Sequence, residues 1–200
     1  MEDDSKQRLL QAAIQLFAAH GFESVSIRQI AKEAETNSAM ISYYFGSKQK
    51  LYEAAIDAQA AALHEFLTPK TAELTPQEVF LRYAQTLQKI HVRNPTLLQF
   101  ICREFAAPSA HFETFIQKRL QQVFLLLADA LQRGIDEEIF RPDIEIVPTL
   151  VLWAGMVNFY YLSRNLHQRI SPEAQACSEA AYMEHACKIF FAGIERRPAP

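Results

Sequence analysis

The chain has 200 residues, half of them hydrophobic and 22% charged, which supplies a packed core and argues against a disordered protein. Glycine is scarce at five, and no run alternates apolar and polar residues between Gly-rich turns, so the composition points to an all-α protein and away from β-sheet. The net charge of −3 excludes a uniformly basic surface, yet residues 6–50 hold six Lys/Arg (Lys6, Arg8, Arg28, Lys32, Lys48, Lys50) against Glu23, Glu33 and Glu35, so a modest basic excess is confined to one segment.

Leu10, Ala13, Ile14 and Phe17 follow the i, i+3, i+4, i+7 pattern of an amphipathic helix, which Gly21 should stop. A second helix opens at Ser26, where Ser26 and Gln29 form a capping box and Val25 can pack on Ile30. Its expected buried stripe is Ile27, Ile30, Ala31 and Ala34. After a turn at Glu35-Thr36-Asn37, a third short helix is predicted from about Ser38 to Phe45. Ser47 then caps a long helix running from Lys48 to about Leu67. Two short helices separated by about three residues make a helix-turn-helix.

The rest of the chain repeats one kind of punctuation, a capping residue followed by Pro at the first helical position: Thr75-Pro76, Asn94-Pro95 and Ser171-Pro172. Helices are expected at about 76–92, 95–106, 110–133, 143–166 and 172–195, with an irregular loop from Gly134 to Pro142. The domains are then a helix-turn-helix unit at 1–47, with its linking helix from 48, and a larger helical domain at 48–200.

The longest apolar stretch, Val147 to Val157 with Pro148 and Thr149 inside it, falls short of the roughly 20 residues that span a bilayer. The acidic start Met1-Glu2-Asp3-Asp4 is unlike a signal peptide. A cytoplasmic protein without a membrane partner is expected, and Cys102, Cys177 and Cys187, without C-x-x-C spacing, suit a reducing compartment.

The informative stretch is Ser26 to Tyr52. In the third helix Ile41 and Phe45 lie one turn apart and should anchor it. Ser38, Ala39, Ser42 and part of Tyr43 then face outward, small or polar enough for the backbone to approach base edges in a major groove. Asn37 is the best candidate for a bidentate contact to adenine, and Ala39 could meet a thymine methyl. Tyr44 and Lys48 at one end, and Ser26 and Arg28 at the start of the second helix, suit phosphates. The competing reading makes Tyr43, Tyr44 and Phe45 core aromatics and Lys48 an ordinary solvated lysine.

With Ile30-Ala31, Ala34, Tyr43, Phe45, Ser47, Lys48 and Leu51 in register, and Ala12-Ala13, Phe17 and Gly21-Phe22 before them, residues 8–55 resemble the DNA-binding domain of the TetR family of transcriptional regulators. Glu35 stands where that family commonly has Gly, Thr36 where Val is frequent, Tyr44 where His is common, and Ser42 where an aromatic is frequent. The resemblance implies a ligand-responsive repressor that leaves a pseudo-palindromic double-stranded DNA operator when a small-molecule effector binds. It also implies a homodimer built by the last two helices as a four-helix bundle. Residues 147–162 are hydrophobic nearly all round, so they must be buried on several faces. The interface expected from these helices is Leu150, Trp153, Val157, Tyr161, Ala180, Met183, Cys187 and Phe191.

For the effector pocket the candidates are Phe100, Arg103, Phe115, Arg119, Trp153, Met156 and Tyr160, drawn from a cluster of aromatics whose members also suit an ordinary core. Arg103 and Arg119 either pair with Glu104 or Glu113 or meet an anionic ligand. No enzyme is expected and no cofactor or metal. H-E-x-x-H, P-loop, G-x-S-x-G and dinucleotide-turn motifs are absent. The alternative to a DNA-binding regulator is a helical interaction module that keeps the fold without sequence-specific DNA binding.

Overall fold

A computed structural model describes residues 2–59, 66–94, 96–106 and 117–196. Among them regular structure is helical: α1 (Glu2–His20), α2 (Ile27–Glu33), α3 (Ala39–Phe45), α4 (Lys48–Gln59), α5 (Pro69–Ala72), α6 (Pro76–Arg93), α7 (Thr96–Ala106), α8 (Gln117–Asp136), α9 (Ile146–Ile170), α10 (Pro172–Ala176) and α11 (Glu179–Ile194). The far end of the helix from Lys48 and the start of the helix expected at 110 lie outside the described residues.

The chain divides into two compact units, one of residues 1–64 and 90–120, the other of residues 65–89 and 121–200. In the first, Leu9, Ala13, Ile14 and Phe17 of α1 meet Ile30 of α2, Ile41 of α3, Leu51 and Tyr52 of α4, and Phe100 of α7. Phe17 meets Tyr52 edge-on at 5.0 Å, and Tyr52 lies 5.9 Å from Phe100. Ile27 is not part of this core. It is 39% exposed at the first position of α2, so the stripe narrows to Ile30 and Ala31, with Ala34 just past the helix end.

In the second unit Phe80 of α6, Phe140, Trp153 of α9 and Phe190 of α11 form an aromatic centre, with Trp153 and Phe190 centroids 4.3 Å apart. The Thr75–Glu78 capping box expected for α6 is formed: Thr75 N–H donates to Glu78 Oε2 at 2.9 Å and Glu78 N–H to Thr75 Oγ1 at 3.4 Å. The Thr75 hydroxyl, which donates to Glu78 Oε2 at 2.8 Å, and after it the Thr75 N–H hold the exposed Glu78 carboxyl below its ordinary value.

Several boundaries differ from the sequence expectation. The predicted loop from Gly134 begins later, because α8 continues to Asp136 before turning at Glu138. Phe140 then doubles back with its ring where a side chain on Gly134 would be, 2.1 Å from the nearest ring carbon. Beyond it, Arg141 N–H bonds the Ile194 carbonyl and Arg196 N–H the Ile139 carbonyl, both at 2.9 Å, tying this loop to the end of α11. The helix expected over 172–195 is broken at Cys177-Ser178, where Ser178 Oγ accepts Ala181 N–H at 3.1 Å and starts α11 afresh. Thr68-Pro69 opens the additional short α5, by the same Pro-first device as the other helices.

Helix α9 starts at Ile146 and runs 25 residues, long and apolar enough to cross a membrane by length and composition. Within the unit it is one wall of the core. Tyr160 stacks on Tyr182 at 4.4 Å and donates to the Cys177 carbonyl, Tyr182 donates to the Met156 carbonyl at 2.7 Å, and Arg164 pairs with Glu179.

Candidate nucleic-acid interface

The recognition segment is assembled by local bonds. Ser26 N–H donates to Gln29 Oε1 at 2.8 Å and Gln29 N–H donates to Ser26 Oγ at 3.2 Å, completing the capping box of α2. The Ser26 hydroxyl also donates to Gln29 Oε1, so this predicted phosphate ligand is a cap first. Arg28 is exposed one position into the helix.

The turn between α2 and α3 closes as a Schellman motif. Glu35 N–H bonds the Lys32 carbonyl at 3.1 Å and Thr36 N–H the Ala31 carbonyl at 2.9 Å. Glu35 carries the left-handed conformation this requires, with φ 49°. Asn37 Oδ1 then accepts Ala39 N–H at 2.9 Å and starts α3.

Ile41, 1% exposed, anchors α3, while Tyr44 and Phe45 are half-buried against the same core. Asn37, Ala39 and Ser42 are exposed, Ser38 is half-buried, and Tyr43 is 69% exposed with its ring edge-on to Tyr44 at 5.0 Å. The two readings of the aromatics therefore divide between residues: Phe45 and Tyr44 lean on the core, and Tyr43 faces outward. Ser47 Oγ accepts Lys50 N–H at 3.1 Å and caps α4. The Lys48 ammonium sits over the Phe22 ring, 4.2 Å from its centroid.

Sequence reasoning passed over Lys32 and Thr36. A shallow hollow beside α3 is lined by Arg28, Lys32, Glu35, Thr36, Asn37 and Ser38. The four-residue spacing of Arg28 and Lys32, which puts two cations on one helix face, was the available signal.

The residues expected to line an effector pocket fall in different units. Phe100 and Arg103 belong to the first, where Phe100 is core and Arg103 Nη2 donates to the Ala19 carbonyl at 2.6 Å. The acid Glu113 and the side chain of Glu104, expected as partners of Arg103, lie outside the described residues. Trp153, Met156 and Tyr160 belong to the second unit, where Trp153 is fully buried. Phe115 and the side chain of Arg119 lie outside the described residues. Of the expected interface, Leu150, Trp153, Val157 and Met183 are buried within the single chain, Tyr161, Cys187 and Phe191 are half-buried, and Ala180 is exposed. The outward stripe of α9 is instead Val147, Val151, Gly155, Phe159, Leu162, Leu166 and Ile170. Among the described residues no group of three His, Cys, Asp or Glu is placed to hold a metal ion.

Residues 9–55 match the family model described as bacterial regulatory proteins, tetR family, and residues 76–187 match that of the tetracyclin repressor-like C-terminal domain. The HTH-type transcriptional repressor NicS of Pseudomonas putida is 25% identical over 166 residues, covering 82% of this chain and 78% of its own. Among solved structures, HlyIIR, a hemolysin II transcriptional regulator, aligns with TM-score 0.72 at 23% identity over 98% of this chain and 100% of its own. The ketosteroid transcriptional regulator KstR2 of Mycobacterium tuberculosis aligns with TM-score 0.66 at 20% identity over 96% and 95%. At these identities the two structures share the fold.

Proposed function

Because this chain belongs to the TetR family and is a DNA-binding transcriptional regulator rather than an enzyme, we propose that it is a cytoplasmic, homodimeric repressor that leaves a pseudo-palindromic operator when a small molecule binds its larger domain. The observation that carries this reading is the outward face of α3. Ile41 is 1% exposed on one side, and Ala39, Ser42 and Tyr43 are exposed on the other. A helix with a small, polar outer face fits the major groove, where its N-terminal residues meet base edges.

In this reading residues 1–47 are the DNA-binding head, with the linking helix from 48, and residues 48–200 sense and pair. Asn37, Ser38, Ala39, Ser42 and Tyr43 approach bases, while Ser26, Arg28, Tyr44 and Lys48 hold phosphates. Lys32 joins Arg28 beside the hollow under Asn37. Two copies meet along α9, whose apolar outer stripe needs cover more than it needs lipid, since the helix already walls a protein core. The recognition helices of the pair then address successive major grooves about 34–36 Å apart. An effector that favours another spacing with a coupling of ~1–3 kcal/mol lowers operator affinity roughly 5–150-fold.

Footprinting on DNA flanking the protein's own gene tests the reading. A protected two-fold site is expected, with Lys48→Ala weakening all sequences alike and the protection fading steeply with salt. Salt-insensitive, sequence-blind binding would leave only the interaction-module alternative.

A further inference from the structure

One helix of the first unit comes from outside the head. Between α4 and α7 the chain passes through residues 65–89 of the other unit before returning at Ile90. Phe100 of α7 is 1% exposed inside the core that α1 and α4 build, 5.9 Å from the Tyr52 ring.

Two polar ties flank this apolar contact. At the entrance to α7, Asn94 Nδ2 donates to the Gln59 carbonyl at 2.9 Å and the Thr96 hydroxyl donates to Gln59 Oε1 at 2.7 Å. Gln59, the last residue of α4, is only 6% exposed. Toward the other end, Arg103 Nη2 donates to the Ala19 carbonyl at 2.6 Å, in the last turn of α1.

The last carbonyls of a helix lack partners within it. The turn at Gly21, with φ 80°, returns one N–H to the Phe17 carbonyl at 2.8 Å and does nothing for Ala19. Arg103 supplies that bond as a cation at the negative end of the helix. Its Cδ would lie 3.1 Å from a Cβ on residue 21, so glycine there serves both the left-handed turn and the close approach of the arginine stem.

Through α1 this bond bears on the recognition helix, because Ile30 and Ile41 pack in the same core as Phe17. The sequence neighbours of α7, α6 and α8, run into the other unit.

We propose that Arg103 is a positioning residue for DNA binding: by holding the Ala19 carbonyl it fixes the end of α1 and, through the core that α1 shares with α3, the attitude of the recognition helix. The proposal rests on the DNA-binding reading above and adds a residue that orients the head. It moves Arg103 from the effector to the head.

The test compares Arg103→Ala and Arg103→Lys with the parent, all as full chains. Binding to the flanking DNA is read by fluorescence anisotropy across a salt series, and amide exchange by mass spectrometry on the free protein. Arg103→Ala should bind about tenfold more weakly with an unchanged salt slope, and exchange should rise severalfold at residues 17–22 and also at 38–45. Arg103→Lys should recover a good part of both. Affinity within twofold of the parent overturns the proposal. So does a salt slope reduced by about one, the mark of a direct phosphate contact. Should the parent not bind that DNA, the DNA reading fails separately, and exchange still decides: a rise that stops short of 38–45 refutes the positioning role.

Discussion

A carbonyl oxygen has two lone pairs, and Asn37 has committed one of them to Ala39 N–H at 2.9 Å. Its replacement therefore mixes two effects that a second substitution separates. Asn37→Ala should lose the cap, about 1 kcal/mol of stability, together with any base contact. Asn37→Ser keeps a capping oxygen and removes only the amide. Near-parental melting with a relaxed preference at one base pair, about 1–3 kcal/mol in competition binding, is expected for the serine variant. If the serine variant reads the operator like the parent, Asn37 is a cap and nothing more. Glu35 presents the opposite case, a residue whose side chain is at odds with its backbone. Its φ of 49° costs roughly 1–2 kcal/mol for a residue with a Cβ, and its carboxylate borders the same hollow as Arg28 and Lys32. Glu35→Gly should raise the melting temperature and tighten operator binding at low salt more than at high salt. A fall in melting temperature would show that the side chain supports the turn.

Among elements, the end of α8 gives the sharpest steric prediction. In an exposed helix Gly→Ala gains about 1 kcal/mol. At Gly134 the new methyl would fall 2.1 Å from a ring carbon of Phe140, which is itself fully buried. Overpacking costs typically 1–3 kcal/mol, so Gly134→Ala should lower stability, and Phe140→Leu in the same chain should be less damaging than the separate effects predict. An unchanged or higher urea midpoint for Gly134→Ala would contradict the packing. Burial also pushes the Tyr83 phenol of α6 from 10.0 up to about 12, against the pull of its hydrogen bond to Asn158. The unfolded chain then ionises first on the alkaline side. This part of the stability is whole below pH 10 and is lost as pH rises toward 12. Tyr83→Phe should flatten the loss, measured by urea unfolding on either side of pH 10; an equally steep loss would put the phenol elsewhere. Cap signals made most helix starts legible, since Ser26–Gln29, Thr75–Glu78 and Ser47 act on neighbours within three residues. Two kinds of feature escaped. Turns at Glu35 and Glu138 take the left-handed form without the glycine that announces it. The inward phase of α9 could not be read either, because a helix apolar all round has no phase in its sequence; Trp153 and Val157, which the sequence assigns to an interface, are fully buried in the single chain. The recognition face was legible for the opposite reason: Ile41 alone is deeply buried between small or polar neighbours.

At the scale of the molecule, the outer stripe of α9 and the recognition helix belong to one problem. A single head offers few base contacts, and linking two heads multiplies affinity by roughly 10²–10⁴ without any new kind of contact. Phe159 is 59% and Leu162 48% exposed in the single chain. Covering a side chain of that size contributes about 1.5–3 kcal/mol, and burying a glutamate in its place leaves a charge without a partner. The double substitution Phe159→Glu, Leu162→Glu should therefore yield a monomer in sedimentation, while Trp153 fluorescence stays that of a buried indole. Its affinity for the two-fold site should fall at least about 100-fold, with a salt slope near half the parental one because only one head engages. Truncating Trp153 should act differently, lowering the stability of each chain before it alters association. A variant that stays dimeric, or a monomer that binds the whole site as tightly as the parent, would mean that pairing uses another surface and that the two heads are not read together.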